Sequence, residues 1–250
     1  PRIGAVADIG SNSIHLLVAV TDGVRLGSLT DESIPSELGR LVERREEIVE
    51  VARAHDIQII EDDCYRMGAS RAPSYRMLAP ERGWYVSSIS KTLTPALRIG
   101  FVVAPKPSVP ALRRSAEHGF FGLATPLADL AERLLADPQA AEYATKVNEV
   151  FGKYVQTCVN ALGCYDLTWN EDVPFVWLKL PEGWRASAFC QAAESEKVQI
   201  RPAEDFAGRE ARAPHAVRIA INAQIAHDHF ESAMLRLRNL LDSPPERISV

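Results

Sequence analysis

One polar stretch between two apolar runs constrains the fold of this chain more than any other feature. Residues 87–100 follow the apolar-rich Trp84-Tyr85-Val86 and precede Phe101-Val102-Val103. This pattern predicts a strand, then a polar loop with several hydroxyls and one lysine, then an arginine that enters a second strand. A lysine between two buried strands can be partly desolvated, which lowers its pKa and makes a neutral amine available as a nucleophile.

The other polar residues of this loop favour a phosphate ligand. Arg98 can bind phosphate oxygens through two parallel N–H groups, and Ser88 and Ser90 add hydroxyl donors. A reactive amine, here Lys91, beside a phosphate site is the combination that pyridoxal phosphate requires. The residues alone leave an alternative open, in which Lys91 lies in an ordinary exposed loop.

The stretch resembles the cofactor-lysine signature of class I/II, fold-type I pyridoxal-phosphate aminotransferases. Residues 88–100 follow the pattern Ser-x-Ser-Lys-x-x-x-Pro-x-x-Arg-x-Gly. This pattern is most similar to the aminoadipate/kynurenine aminotransferase branch and to the aminotransferase-like domains of MocR-type regulators. The resemblance implies that Lys91 forms a Schiff base with the cofactor. It also implies that Ser88, Ser90 and Arg98 hold the cofactor phosphate.

A second motif follows a predicted helix–strand unit. Residues 44–53 are predicted to form a helix with one apolar face, made by Ile48, Val49, Val51 and Ala52. Residues 57–60 are then predicted to form a buried parallel strand, which runs into Glu61-Asp62-Asp63-Cys64-Tyr65. Sites in open α/β sheets lie beyond the carboxyl ends of the strands, although an acidic strand end is also compatible with a plain loop.

This acidic segment resembles the aminotransferase sequence Glu-Asp-Asp-x-Tyr. The resemblance implies that Asp62 pairs with the protonated pyridine nitrogen of the cofactor and that Tyr65 contacts its 3′ oxygen. A carboxylate in that place keeps the ring nitrogen protonated, and the cationic ring then accepts electrons. The motif therefore adds Asp62 and Tyr65 to Lys91 as expected catalytic residues.

The C-terminal part is predicted to contain a long helix and a small domain. Residues 138–163 have helical spacing of apolar residues, with Gly163 as the stop. The expected elements that follow are a strand at 175–180, a helix at 186–195, strands at 198–201 and 216–221, and a helix at 228–241. In the family such a long helix links the large cofactor domain to a small domain, so we expect the domain boundary at residues 135–165.

Arg218 lies inside an apolar predicted strand, where an unpaired charge is costly. A surface arginine on an edge strand is one interpretation. The sequence Val-Arg-Ile-Ala-Ile-Asn around it also resembles a family strand whose arginine binds the substrate α-carboxylate bidentately, and that role is implied for Arg218. His227 and His229 are expected to form a solvated helix cap, and no metal site is predicted.

The first 42 residues follow another pattern. Apolar residues 3–7 and 14–20 flank the polar residues 8–13, which predicts a β-hairpin-like unit. Residues 8–18 resemble the first phosphate loop of the exopolyphosphatase/guanosine-pentaphosphate phosphohydrolase family, in which Asp8 would serve Mg²⁺. An ordinary tight turn is the alternative, and the second phosphate loop and downstream acidic residues of that family are not found in this sequence.

Together these motifs predict an α/β protein assembled from three parts. Residues 1–42 form an exopolyphosphatase-like segment, apparently fused to the rest. Residues 43–137 form a partial pyridoxal-phosphate-binding large domain with a mixed, mostly parallel sheet, and residues 138–250 add the interdomain helix and an α+β small domain. The aminotransferase resemblance covers residues 43–243. It lacks the family's glycine/serine phosphate loop, its ring-stacking aromatic residue and its Asn-Pro-x-Gly segment, so we expect a truncated and impaired protein.

Composition limits the classes of partner. The 250 residues are 46% hydrophobic, enough for a sizeable core, and a net charge of −5 argues against general binding to nucleic acid or membrane surfaces. No apolar run reaches the roughly 18 residues of a membrane span. Four cysteines without CxxC spacing favour a reduced, cytoplasmic protein with neither disulfides nor zinc.

The predicted function is pyridoxal-phosphate-dependent transfer of an amino group between an amino acid and a 2-oxo acid, by a homodimer. One alternative is a non-catalytic, MocR-like effector-binding domain, which a winged helix-turn-helix segment would mark; the sequence offers no candidate for that segment. The other alternative is an exopolyphosphatase-type phosphohydrolase, which would release phosphate in a Mg²⁺-dependent reaction.

Overall fold

The computed structural model describes residues 2–10, 13–21, 26–35, 44–68, 72–119, 122–207 and 213–244, and it describes side chains from residue 44 onward. The chain divides into two compact units, Pro1–Thr145 and Lys146–Val250. Ser11 and Asn12, which belong to the predicted phosphate loop, lie outside the described residues. Among the residues that are described, no helix combines the length and apolarity needed to cross a membrane.

The first unit contains a mixed six-stranded sheet. Its strands are β1 (Arg2–Gly10), β2 (Ser13–Thr21), β3 (Leu26–Pro35), β4 (Gln58–Asp62), β5 (Gly83–Ser88) and β6 (Gly100–Val103). They lie in the order β3-β2-β1-β4-β5-β6. β4 pairs in parallel with both β1 and β5, whereas β1–β2, β2–β3 and β5–β6 are antiparallel. The predicted α/β class with a mixed sheet is confirmed, but the sheet is not mostly parallel as expected, because only the two pairings of β4 are parallel among the described strands.

The N-terminal strands continue the sheet that carries the aminotransferase-like motifs. β1 and β2 form the predicted hairpin, and β3 adds a third antiparallel strand that was not predicted. The polar turn is shorter than predicted, because β1 extends through Gly10 and β2 begins at Ser13. β1 is bonded to β2 on one side and to β4 on the other, with Gly10 beside Asp62. Asp8 and Ile9, which were predicted in the polar turn, therefore pair on both sides, and their backbone groups are satisfied within a strand.

The described residues of this unit also form the helices α1 (Arg45–Ala54), α2 (Tyr75–Leu78), α3 (Val109–Gly119) and α4 (Thr125–Ala136). α1 was predicted, and it buries Val49 and Ala52 in a cluster with Ile59 and Tyr75. Val51, predicted on the same apolar face, is 55% exposed. Residues two apart on a helix do not share a face, so the burial of Val49 turns Val51 toward solvent.

The elements of the second unit are β7 (Leu167–Trp169), β8 (Phe175–Lys179), α6 (Ala186–Ser195), β9 (Arg201–Pro202), β10 (Ala216–Ala220) and α7 (His227–Asp242). The strands form a four-stranded antiparallel sheet in the order β7-β8-β10-β9. The long helix α5 (Pro138–Leu162) runs from the first unit into the second. The core of this unit includes Val155, Leu162, Leu178, Phe189, Val217 and Leu237.

Most predicted elements of this unit are confirmed, including α5, α6, α7, β8 and β10. The predicted strand at 198–201 is reduced to Arg201–Pro202. Val198 donates its N–H to the Ala193 carbonyl at 2.8 Å, and Lys197 has a φ of 64°. This left-handed turn closes α6, so the apolar residues after it enter the core as an irregular segment.

Candidate cofactor site

Two loops that carry predicted cofactor residues leave the six-stranded sheet at the same edge. β4 and β5 are parallel, with Asp62 in register with Val86, so their carboxyl ends lie at one edge of the sheet. The loop after β4 carries Tyr65, and the loop after β5 carries Lys91. β6 is antiparallel to β5, with Ser88 beside Gly100, and the chain therefore returns to this edge before β6 begins.

The side chains of Lys91 and Tyr65 meet between these loops. Lys91 Nζ lies 5.4 Å from the centroid of the Tyr65 ring, within the range of a cation–π contact. Both residues are exposed, with Tyr65 at 38%. The predicted partial desolvation of Lys91 is not observed, because the lysine lies in an exposed part of the loop between β5 and β6. An ordinary exposed loop would have the same exposure, and the role of Lys91 as the cofactor lysine stays a prediction.

Buried residues fix both ends of the Lys91 loop. Ile89 and Ile99 lie in one apolar cluster with Ala131 of α4. The amides of Leu93 and Thr94 both donate to the Ile89 carbonyl at 3.0 Å, which forms a tight turn that contains Lys91. The loop is thus ordered by these contacts, and its lysine lies on the exposed side.

The predicted phosphate-binding residues occupy the two ends of this loop. Ser88 ends β5, and its Oγ accepts the Ser90 N–H at 3.4 Å; both serines are half-buried. Arg98 is exposed, and its N–H donates to the Pro95 carbonyl at 3.3 Å. Its φ of 53° lies in the left-handed region, which is costly for a residue with a Cβ and turns the chain toward β6.

Asp62 is exposed at the end of β4. Its Oδ1 accepts the Cys64 N–H at 3.0 Å, a local turn typical of aspartate. Burial raises the pKa of the Cys64 thiol to about 12, and the hydrogen bond and negative charge of Asp62 add to this rise. The thiol is therefore protonated at neutral pH, and the Asp62 carboxylate remains the exposed acidic group at this position.

Asp63 is a site residue that the sequence analysis did not single out. It is 6% exposed, its Oδ1 accepts from Arg66 Nε at 2.7 Å, and its Oδ2 accepts from the Tyr85 hydroxyl at 2.9 Å. Burial, then the Asp63 carboxylate, raise the pKa of Tyr85 to about 12, so Tyr85 is a hydrogen-bond donor at neutral pH. One feature of the sequence could have indicated a buried carboxylate here, namely two successive aspartates at a strand end. Side chains along a strand point alternately to opposite faces, so one of the two is expected to be buried.

Glu61 is the second buried carboxylate of this segment, and it is 3% exposed. It accepts from Arg45 Nη2 at 2.7 Å and from the Tyr75 N–H at 2.8 Å. The Arg45 guanidinium also lies 4.5 Å from the Tyr75 ring centroid. Glu61 therefore ties β4 to α1 and α2, whereas Asp63 ties the following loop to β5.

Arg218 lies in the second unit, on β10 between β8 and β9. The edge-strand interpretation is therefore wrong. The side chain is half-buried, and its guanidinium carbon lies 4.0 Å from the Phe175 ring centroid and 4.7 Å from that of Phe206. Two aromatic rings compensate for the burial of the charge.

His227, predicted to form a solvated helix cap, is exposed at the first residue of α7, and it also makes contacts with α5. Its Nε2 lies 2.8 Å from Thr157 Oγ1, and its ring packs edge-on against Tyr154. These contacts join α7 to α5 within the second unit. Across the described part of the chain, no group of three or more His, Cys, Asp or Glu residues is placed to hold a metal ion.

Comparison with known proteins gives a family match over most of the chain. The family described as "Aminotransferase class I and II" matches residues 41–237. The chain is 25% identical over 211 residues to an uncharacterized HTH-type transcriptional regulator, YdeF, of Bacillus subtilis, and the match covers 80% of this chain and 44% of the regulator. It is 28% identical over 183 residues to the 2-aminoadipate transaminase of Thermus thermophilus, and that match covers 65% of this chain and 44% of the transaminase.

The fold is similar to that of a solved aminotransferase. The crystal structure of LysN, the alpha-aminoadipate aminotransferase from Thermus thermophilus, complexed with N-(5′-phosphopyridoxyl)-L-leucine, superposes with a TM-score of 0.71 at 23% identity. The match covers 80% of this chain and 54% of that structure. The chain thus spans less than half the length of the two curated relatives and about half of the solved one.

Proposed function

Because the chain belongs to the class I and II aminotransferase family, we propose that it is an aminotransferase-like protein dependent on pyridoxal phosphate. Its proposed reaction transfers an amino group between an amino acid and a 2-oxo acid. The observation that carries this proposal is the meeting of Lys91 and Tyr65, from two loops, at the sheet edge where Asp62 is exposed.

The residues at this edge fit the chemical groups of the cofactor. Lys91 offers a primary amine and Asp62 an exposed carboxylate, and Tyr65 offers a phenol. Ser88, Ser90 and Arg98 supply the hydroxyl and guanidinium donors that a phosphate requires. All six side chains are exposed or half-buried, so a ligand has access to each of them.

Pyridoxal phosphate, when bound, supplies an aldehyde carbon for an imine bond and a ring that takes up electrons. In the proposed site Lys91 Nζ would hold the aldehyde carbon and would serve as the base for the proton at the amino-acid Cα. Asp62 would hold a proton at the pyridine nitrogen, and the Tyr65 hydroxyl would donate to the 3′ oxygen. Ser88, Ser90 and Arg98 would donate to the phosphate.

Arg218 is the proposed substrate residue. Its planar guanidinium can bind a carboxylate with two parallel hydrogen bonds. The rings of Phe175 and Phe206 restrict its orientation, which lowers the entropy lost when it binds a ligand. We therefore assign it the α-carboxylate of the amino acid or the 2-oxo acid.

The domain assignment is part of the same proposal. Residues 43–137 are assigned to the cofactor domain, and residues 138–250 to the interdomain helix and small domain, in a homodimer.

Residues 1–42 are proposed as a fused, exopolyphosphatase-like segment, supported by a family match that begins at residue 41. Mg²⁺-dependent release of phosphate from polyphosphate tests that resemblance. The cytoplasm, a reducing compartment, is proposed from the spacing of the four cysteines in the sequence, which includes no CxxC motif.

A non-catalytic effector-binding role is the second candidate. The similarity to the Bacillus subtilis HTH-type regulator over 80% of this chain favours it. In that role the same residues bind the cofactor and an amino acid, and no amino group reaches a 2-oxo acid. Both candidates require Lys91, and they differ only in turnover.

The experiment that separates the two candidates follows the cofactor-loaded protein after addition of single amino acids. Loss of the lysine-bound absorbance band, with formation of the matching 2-oxo acid, supports an aminotransferase. A spectral change without 2-oxo acid supports an effector-binding domain. Failure of pyridoxal phosphate to produce any lysine-bound band contradicts both.

A further inference from the structure

Two successive aspartates at the end of β4 occupy opposite environments. Asp62 is exposed, whereas Asp63 is buried. Successive side chains of a strand point to opposite faces, and Asp63 continues this alternation beyond the last residue of β4. The proposed cofactor residue Asp62 is therefore followed directly by a carboxylate turned toward the protein interior.

Asp63 is bonded to β5 through both its backbone and its side chain. Its N–H donates to the Val86 carbonyl at 2.8 Å, which extends the β4–β5 ladder by one residue. Its Oδ2 accepts from the Tyr85 hydroxyl at 2.9 Å. Its Oδ1 accepts from Arg66 Nε at 2.7 Å, and the Arg66 N–H donates to the Asp63 carbonyl at 3.2 Å. Asp63 thus closes the turn that contains Tyr65 and attaches that turn to β5.

We propose that Asp63 is a positioning residue that holds the segment Asp62–Tyr65 against β5, so that Asp62 and Tyr65 face the loop of Lys91. From Tyr85, β5 continues to its end at Ser88 and leads into that loop, so the loop of Lys91 directly follows the strand that carries the partner of Asp63. The positioning itself is inferred from the contacts of Asp63, and only the ligand of Asp62 and Tyr65, pyridoxal phosphate, rests on the proposed function.

The chemistry of the contacts supports this role. Each carboxylate oxygen of Asp63 has one donor, as a buried carboxylate requires. The high pKa of Tyr85 keeps its phenol protonated across the neutral range. Asp63→Asn keeps the shape of the side chain, removes its negative charge and replaces one of the two accepting oxygens with an amide NH2. That NH2 cannot accept from Arg66, and it can bond to Tyr85 only by donating to the hydroxyl oxygen. In either orientation of the amide, one of the two bonds donated to Asp63 is therefore lost and the other loses its charge assistance.

Glu61 provides a matched control, because it is a buried carboxylate two residues away with equally complete hydrogen bonding. Its partners belong to α1 and α2, not to β5. Glu61→Gln thus weakens a buried polar network near the same strand without touching the attachment of the Tyr65 segment. A second test variant, Tyr85→Phe, removes one hydroxyl and retains the ring that packs 6.5 Å from Phe101.

The first readout is amide hydrogen exchange of the 250-residue chain without cofactor. We expect Asp63→Asn and Tyr85→Phe to accelerate exchange in residues 62–68 by about tenfold, the equivalent of one lost buried hydrogen bond. Glu61→Gln is expected to accelerate exchange in α1 and α2 and to leave residues 62–68 unchanged. Unchanged exchange at 62–68 in both test variants, or equal acceleration by Glu61→Gln, overturns the proposal.

The second readout is the dissociation constant of pyridoxal phosphate, measured by absorbance. We expect Asp63→Asn to raise it by about tenfold. Glu61→Gln is expected to leave this dissociation constant unchanged, when both variants are measured at temperatures equally far below their own melting temperatures. Equal weakening by both variants reduces Asp63 to a stability residue. If the unmodified chain binds no pyridoxal phosphate, the proposed function fails, and the exchange experiment alone decides whether Asp63 holds the segment.

Discussion

The Lys91 ammonium lies 5.4 Å from the centroid of the Tyr65 ring, although two different strands deliver these residues. The parallel pairing of β4 and β5 brings their loops to one sheet edge, and Asp63 attaches the first loop to the second strand. This relationship connects the fold to the proposed chemistry, and it is open to direct tests.

Replacement of Tyr65 separates the contribution of its ring from that of its hydroxyl. Tyr65→Phe keeps the ring beside Lys91 and removes the proposed donor to the cofactor, so we expect about fivefold weaker binding of pyridoxal phosphate. Tyr65→Ala also removes the cation–π contact, and we expect binding to weaken by about tenfold or more. Absorbance titration of the cofactor measures both. Wild-type affinity in both variants contradicts the assigned role.

Replacement of Arg218 is expected to affect the amino acid and not the cofactor. Arg218→Lys keeps the charge and loses the planar fork, so the apparent dissociation constant of an amino-acid donor rises by about tenfold to a hundredfold. Arg201→Lys is the control, because Arg201 is an exposed arginine of β9 that pairs with Arg218 of β10. Equal effects of the two changes, or a comparable loss of cofactor affinity in Arg218→Lys, contradict the assignment.

The buried Arg45–Glu61 pair predicts a large loss of stability when one partner is removed. Arg45→Met leaves the Glu61 carboxylate buried without its cation, and we expect the free energy of unfolding to fall by about 3 kcal/mol. Arg44→Met is the control, since its ion pair with Glu47 is exposed, and it costs less than about 1 kcal/mol. Urea denaturation measures both values. A loss of stability in Arg45→Met that does not exceed that of the control contradicts this account of the pair.

Cys158 predicts a pH dependence of stability in the alkaline range. Burial raises its pKa from 9.0 to about 12, so the folded state holds the thiol proton more tightly than the unfolded state. The stability that the protonated Cys158 thiol gives the folded state is fully present below pH 9 and is lost as the pH rises toward 12. Over that range the free energy of unfolding falls by at most about 1.4 kcal/mol per pH unit. Urea denaturation between pH 8 and 10.5 therefore shows a steeper decline for the wild type than for Cys158→Ala. Parallel declines contradict the shift, and Cys164→Ala, at an exposed thiol, is the control expected to retain the wild-type slope.

The sequence was informative where local chemistry decides the structure. The hydrophobic periodicity of α1, α5, α6 and α7 predicted these helices, and the motifs around Asp62 and Lys91 predicted a polar segment after each of two strands. The apolar runs at 175–180 and 216–221 likewise predicted β8 and β10. These features depend on residues that are close together in the chain.

Features that depend on distant residues were not predictable in the same way. The burial of Asp63 depends on Tyr85 and Arg66, and the sequence Asp62-Asp63 does not reveal which carboxylate is turned inward. The exposure of Lys91 depends on how its loop packs, with Ile89 and Ile99 in an apolar cluster with Ala131 and the lysine outside that cluster. The parallel pairing of β1 with β4 joins segments about 50 residues apart, and no local pattern encodes such a neighbour.

The most direct test of the account is borohydride reduction of the protein after addition of pyridoxal phosphate, followed by peptide mapping. The account predicts a lysine-bound absorbance band before reduction and a single labelled residue, Lys91, after it. Lys91→Ala removes both signals, whereas Lys106→Ala, at an exposed lysine beyond β6, retains them. A label spread over several lysines, or a band that persists in Lys91→Ala, contradicts the central claim.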